Sequence, residues 1–175
     1  DGCIKHNVPE MILASSSEVY QSPAFVPTDE DAPLVVPDVQ NPRFSYGGGK
    51  IISELMAINY GRKHFERVVV FRPHNVYGPR MGMAHVIPEQ LKKAWLADTG
   101  DSLSVHSSDH RRSFCFVDDA VEMLKRMLEV HECEGKTLNL GAQFPEVRIR
   151  EVVQMCIDVT GKSLGTSDLP PTPGS

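Results

Sequence analysis

The sequence predicts an α/β fold built on a mainly parallel sheet, and three observations carry that reading. Short apolar runs alternate with helical patterns along most of the chain. The strongest run, Val68-Val69-Val70-Phe71, is β-branched and uninterrupted, as strands buried on both faces are. Proline- and glycine-rich segments directly follow two of the runs, where ligands of open α/β sheets bind. Strand and helix in strict turn imply crossover connections and parallel pairing.

Taken in order, residues 11–14 (Met-Ile-Leu-Ala) read as a buried strand. Residues 21–45 contain Pro23, Pro27, Pro33, Pro37 and Pro42, so they form neither helix nor central strand. A loop this long inside a compact domain is usually functional or disordered. The helix after Tyr46 places Ile51, Leu55 and Ile58 on one stripe, with Ile52 and Met56 beside it. Residues 68–71 form the second strand, and the irregular segment 72–84 follows with Pro73, Gly78, Pro79 and Gly82. Helices are expected near 87–96, 118–128 and 149–160, with weaker strands at 103–105 and 137–140. Asp118 or Asp119 suits the N-cap of the second of these helices, and Gly161 suits the C′ position of the third. The closing run from Pro170 to Ser175 cannot be helical.

Composition narrows the function classes. The chain has 175 residues, 41% of them hydrophobic, which is enough for a real core. Eighteen Lys+Arg stand against 23 Asp+Glu, a formal net charge of −5 without long like-charge runs. That balance argues against nucleic acid as the main partner. No stretch approaches the roughly 18 apolar residues of a membrane span. Cys3, Cys115, Cys133 and Cys156 are scattered without a CxxC pair, so no zinc or other metal site and no disulfide framework is expected. A reducing cytoplasm fits best. The chain opens Asp1-Gly2-Cys3 and closes on prolines, and both ends read as breaks in a longer protein.

One pair of residues points to chemistry. Tyr46 and Lys50 stand four apart at the head of a helix, on one face. A phenol has a reference pKa of about 10 and is a poor base at neutral pH. A neighbouring ammonium favours the phenolate, so Tyr-x-x-x-Lys is a device for making a base of tyrosine. Gly47-Gly48-Gly49 lies between them and lets another molecule approach the helix backbone. A phosphate loop ending Gly49-Lys50 is excluded, because Ile51 replaces the required Ser/Thr and Phe44 the earlier glycine. Ser15-Ser16-Ser17 follows the first strand and offers hydroxyls to a substrate, or equally to the local backbone of a turn.

Together these features resemble the extended short-chain dehydrogenase/reductase family of nucleotide-sugar epimerases, dehydratases and decarboxylases. Ser15-Ser16-Ser17-Glu18-Val19-Tyr20 resembles the family's strand-end motif, and Tyr46-Gly47-Gly48-Gly49-Lys50 matches its Tyr-x-x-x-Lys. Phe71-Arg72-Pro73-His74-Asn75-Val76-Tyr77-Gly78-Pro79 is close to its Arg-Pro-x-Asn-x-Tyr-Gly-Pro segment. The run Arg112 to Ala120 resembles its Arg-x-Phe-x-x-Val-x-Asp block, and Asn139-Leu140-Gly141 and Val159-Thr160-Gly161 fall in place. The family's Gly-x-x-Gly-x-x-Gly turn occurs nowhere in the 175 residues.

The resemblance implies a Rossmann-like subunit portion with part of a small substrate-binding lobe. The catalytic part would span about 1–80 and 111–140, the lobe about 81–110 and 141–175. It implies NAD as cofactor, with Ser15, Tyr46, Lys50 and Pro73 beside it. Ser16, Tyr46, Lys50 and Glu18 would be catalytic, and Ser16, Asn75, His85, Val86 and Arg112 would bind a nucleotide-diphosphate sugar, with a UDP-sugar expected. The intact protein is expected to be a homodimer through the helix after Tyr46. The reaction expected is 4-epimerisation through a 4-keto intermediate, with decarboxylation of UDP-glucuronate as alternative because Ser17-Glu18 fits it. A dehydratase is disfavoured, because Ser17 stands where elimination needs an acid. A module that binds nucleotide sugar through Asn75 and Arg112, or an inactive remnant, is the non-enzyme alternative.

Overall fold

The computed structural model describes residues 2–170. In chain order its elements are α1 (Gly2–Lys5), β1 (Glu10–Ala14), α2 (Ser45–His64), β2 (Arg67–Pro73) and β3 (Val76–Tyr77). There follow α3 (Val86–Leu96), β4 (Ser102–His106), β5 (Arg111–Ser113), β6 (Cys115–Phe116) and α4 (Val117–Glu129). Last come β7 (Thr137–Leu140), β8 (Glu146–Arg148), α5 (Ile149–Thr160) and β9 (Gly165–Leu169). All four expected strands and all four expected helices are present. The statement about the proline-rich tail falls on residues 171–175, outside the described residues.

The chain divides into two compact units. The first, residues 1–76 and 117–141, holds a parallel sheet of order β1-β2-β7. β2 lies in the middle, and Val69 and Val70 are almost wholly buried there. The continuous β-branched run identified from sequence is therefore the central strand, covered on both faces. α2 packs on β1 and β2, and its buried positions are three small residues, Gly47, Ala57 and Gly61, and one carboxylate, Glu54. At Gly61 a Cβ would lie 2.4 Å from Val68 Cγ2, so only glycine permits this helix-to-strand approach. Arg67, at the start of β2, donates to the main-chain oxygens of Met127 and Leu128 in the last turn of α4 and to that of Val130 just beyond it.

The second unit, residues 77–116 and 142–175, contains the parallel pair β4-β9, the antiparallel pair β5-β8 and the packed helices α3 and α5. Its core is Ala94, Leu103, Val105, Val153 and Ile157. Gly161 ends α5 in the left-handed region at φ 68°, as expected of a C′ glycine. Lys162 then donates to Trp95 O and, at 2.7 Å, to Ala97 O, closing the C-terminus of α3.

Two readings of local structure are corrected. α4 begins at Val117, so Asp118 and Asp119 occupy its first turn instead of capping it. There their carboxylates meet the positive end of the helix dipole. The predicted apolar stripe of α2 does not face the sheet as a unit: Ile51 and Ile58 are half-buried, whereas Ile52, Leu55, Met56 and Tyr60 are exposed. Gly61 and Ala57 take buried positions where the helix lies close to the sheet, and the one large buried residue, Glu54, is held by polar partners. Among the described residues no helix is long and apolar enough to cross a membrane.

Candidate active site

Within the first unit, the segments that follow β1 and β2 and the N-terminus of α2 carry most of the expected site residues. The three serines after β1 have three different tasks. Ser15 Oγ donates to the carboxylate of Glu54, which is itself buried. Ser16 Oγ accepts the Glu18 N–H at 3.2 Å and so caps a single 3-10 turn over Ser17–Val19. Ser17 Oγ lies 3.0 Å from His74 Nδ1. Glu18 is exposed at the head of that turn.

Gly47 explains how α2 approaches this turn. A Cβ at Gly47 would sit 2.9 Å from the Glu18 carbonyl oxygen and 2.7 Å from Gln21 Nε2. The backbone of α2 is thereby seated directly on the segment holding Ser16, with Tyr46 next in sequence. Gly49 is different, since nothing lies within 4 Å of where its Cβ would be. It leaves the helix backbone open to an approaching molecule.

Tyr46, Lys50 and Glu54 recur every four residues on α2, one above the other. Tyr46 is 58% exposed. Lys50 Nζ donates to the carbonyl of Ala14, the last residue of β1, at 2.8 Å and stands 5.6 Å from the Tyr46 ring centre. The ammonium is thus fixed at the strand end beside an accessible phenol. Those two groups can exchange a proton with a substrate hydroxyl and bind a cofactor through polar oxygens. The open backbone at Gly49 suits such a cofactor, whereas the Ser15 hydroxyl is already committed to Glu54.

Below this pair lies a buried polar network that sequence reasoning left unassigned. Arg72 Nε and Nη2 donate to the two oxygens of Glu54 at 2.9 and 2.7 Å, a bidentate pair. Arg72 Nη1 donates to Tyr20 Oη at 2.6 Å and to the Glu30 carbonyl at 3.0 Å, and its guanidinium stacks on the Tyr20 ring. Tyr20 Oη donates to Asn139 Oδ1, while Asn139 donates from Nδ2 to Thr28 O and from its main chain to the Glu30 carboxylate. Burial works against the Arg72 charge, but hydrogen bonds to Glu54 and Tyr20 and the Glu54 charge outweigh it and hold its pKa above the ordinary value. The residues themselves were visible in the sequence, a carboxylate four residues beyond Lys50 on the same face and an arginine ending an apolar strand run, but their pairing was not.

The remaining expected residues are placed as follows. Pro73 closes β2 and is half-buried. Asn75 has a left-handed backbone at φ 43°, which asparagine tolerates better than most residues. In the second unit, His85 precedes α3, Val86 is its first residue, and both are near its N-terminus. Arg112 is exposed on β5, opposite Val147, and donates to the Arg111 carbonyl.

The two glycines give a contrasting prediction. Gly47→Ala should destabilise the chain by about 1–3 kcal/mol through overpacking against backbone. Gly49→Ala should stabilise it by about 0.5–1 kcal/mol through helix propensity. Urea unfolding of both variants checks this, and equal effects would contradict the seating of α2 described above.

The pattern of the NAD dependent epimerase/dehydratase family matches residues 1–141. Among solved structures, a UDP-galactose 4-epimerase is 26% identical, with a TM-score of 0.77, over 99% of this chain and 54% of its own. MoeE5, in complex with UDP-glucuronic acid and NAD, is 26% identical with a TM-score of 0.77, over 99% of this chain and 55% of its own. TunA, an NAD-dependent NDP-hexosamine 5,6-dehydratase of tunicamycin biosynthesis, is 24% identical with a TM-score of 0.78, over 99% and 54%, and shows the fold. The chain therefore spans about half the length of the structures it matches. With most of its length matched and its motifs set around the ends of a parallel sheet, the chain belongs to the NAD-dependent epimerase/dehydratase family.

Proposed function

We propose that the chain is part of an NAD-dependent nucleotide-sugar 4-epimerase, with its first unit catalytic and its second a substrate-binding lobe. The observation that carries this reading is the Lys50 ammonium bonded to the end of β1 beside the exposed Tyr46 phenol, with Gly47 seating the helix on the Ser16 turn. NAD, held by Tyr46, Lys50 and Pro73, would supply a hydride acceptor and donor for C4 of the sugar. The work of the protein is proton transfer and orientation. Tyr46 takes the proton of the 4-hydroxyl, with Ser16 hydrogen-bonded to the same oxygen, and returns it when the ketone is reduced. Lys50 supplies the positive charge beside the phenol and binds cofactor hydroxyls. Pro73 would lie beside the cofactor, and Ser15 contributes by fixing the strand end through Glu54. Asn75, His85 and Val86 contact the sugar nucleotide, and Arg112 binds the diphosphate through the donor fork of its guanidinium.

A second reading, decarboxylation of UDP-glucuronate, is favoured by Ser17-Glu18 and by the similarity to MoeE5, whose structure holds that sugar nucleotide. Glu18 is the catalytic residue that would matter more there. Epimerisation ranks first because it needs no group beyond Tyr46, Lys50 and Ser16. The complete protein incubated with UDP-glucose, UDP-glucuronate and their N-acetyl analogues, with products read by mass and C4 configuration, decides between them. Unchanged mass with inverted C4 supports the epimerase, and loss of CO₂ reverses the ranking. Tyr46→Phe should lower turnover by about 10²-fold or more; full activity would refute the assignment. Binding of a sugar nucleotide without turnover in the complete protein would favour the binding module.

The intact protein is further proposed to be a homodimer through α2. Ile52, Leu55, Met56 and Tyr60 are each 48–59% exposed on this one helix, an apolar face of the kind that marks an interaction surface. Sedimentation should give a dimer at micromolar concentration, and a clean monomer would refute it.

A further inference from the structure

We propose that His74 is a positioning residue that makes Ser17 a one-way hydrogen-bond donor to the substrate's sugar, an inference that rests on the nucleotide-sugar reading above. His74 joins the segments that follow β1 and β2. Its Nδ1 lies 3.0 Å from Ser17 Oγ, and its Nε2 lies 3.0 Å from Asn75 Nδ2.

The polarity of this chain follows from the valence of its members. An amide nitrogen only donates, so Nε2 is the acceptor and the imidazole proton resides on Nδ1. Nδ1–H then donates to Ser17 Oγ. The Ser17 proton cannot return to Nδ1, so it is directed to a third group. A neutral imidazole cannot resupply that proton without becoming an anion. Ser17 is therefore an orienting donor and not a general acid, which agrees with a reaction that needs no second acid.

The backbone holds His74 for this task. Its N–H donates to Leu140 O at 2.9 Å. Gly141 lets the chain after β7 pass close, since a Cβ there would be 3.3 Å from His74 Cβ. The left-handed turn at Asn75 belongs to a residue whose amide meets the preceding imidazole. Ser17 shares its turn with Ser16, so the oxygen it meets belongs to the sugar near the reacting carbon: a hydroxyl, carbonyl or carboxylate oxygen placed as acceptor.

Calorimetry on the complete protein with UDP-glucose, UDP-glucuronate, UDP-N-acetylglucosamine and plain UDP tests this. His74→Ala and Ser17→Ala should each weaken the best-bound sugar nucleotide about tenfold, the worth of one neutral hydrogen bond, and leave UDP unchanged. The double variant should lose no more than either single one, because both break the same chain. His74→Gln, which keeps an amide donor, should recover part of the loss. Long-range ¹H–¹⁵N NMR of the unliganded chain should show the Nδ1–H tautomer and needs no ligand. An Nε2–H tautomer, equal weakening of UDP, or variants that bind as wild type would overturn the inference alone. Failure of the complete wild-type protein to bind any of the three sugar nucleotides would overturn the nucleotide-sugar reading and this inference with it.

Discussion

A carboxylate and a guanidinium, 2% and 4% exposed, face each other between α2 and β2, and this pair constrains everything around it. Separating them would leave an uncompensated charge in the protein interior, at a cost of about 3–5 kcal/mol. Only one register of α2 against the sheet lets Glu54 reach both Arg72 and Ser15. A slip of one helical turn, about 5.4 Å, would break all of these bonds together. Glu54 is eight residues beyond Tyr46 and four beyond Lys50 on the same face, so fixing Glu54 fixes where the phenol and the ammonium emerge.

The same guanidinium acts in the other direction, on the proline-rich loop. Through Tyr20 and Asn139 it reaches Thr28 and Glu30, and through its own Nη1 the Glu30 carbonyl. A segment that forms neither long helix nor strand thus acquires buried hydrogen-bond partners. Such a loop has no ladder of its own, and side-chain donors substitute for one. The small residues of α2 complete the arrangement, because Gly47 and Gly61 allow the helix to lie close enough for a four-atom carboxylate arm to span the gap.

How much of this was legible in the sequence follows from what sequence patterns encode. The strands at β1, β2, β4 and β7 announce themselves because burial on a sheet requires apolar runs, and the helices by their periodicity. The short strands β5, β8 and β9 do not: β9, Gly-Thr-Ser-Asp-Leu, is exposed throughout and is a strand only because β4 pairs with it. The apolar residues of α2 were readable but their side was not, since hydrophobicity does not say that small residues occupy the closer contact. The juxtaposition of Tyr46 and Lys50 was legible because residues four apart share a helix face. Ser15 looked like a sibling of Ser16, and only its contact with Glu54 shows that its hydroxyl points inward. Partners at sequence separations of 18 to 119 residues, such as Arg72 with Glu54 and Tyr20 with Asn139, are set by topology that no local pattern contains.

The claim at the centre of this account is that the Glu54–Arg72 pair organises the site and the loop, beyond its contribution to stability. The direct measurement is amide hydrogen exchange on the double variant Glu54→Leu/Arg72→Met, in which apolar groups of similar size fill the space of the pair. The account predicts that Val69 and Val70 in β2 keep their protection while Val35, bonded to Val19 O, and the amides around Glu30 exchange faster. Loop protection equal to that of the wild type, with strands and loop alike unaffected, would contradict it.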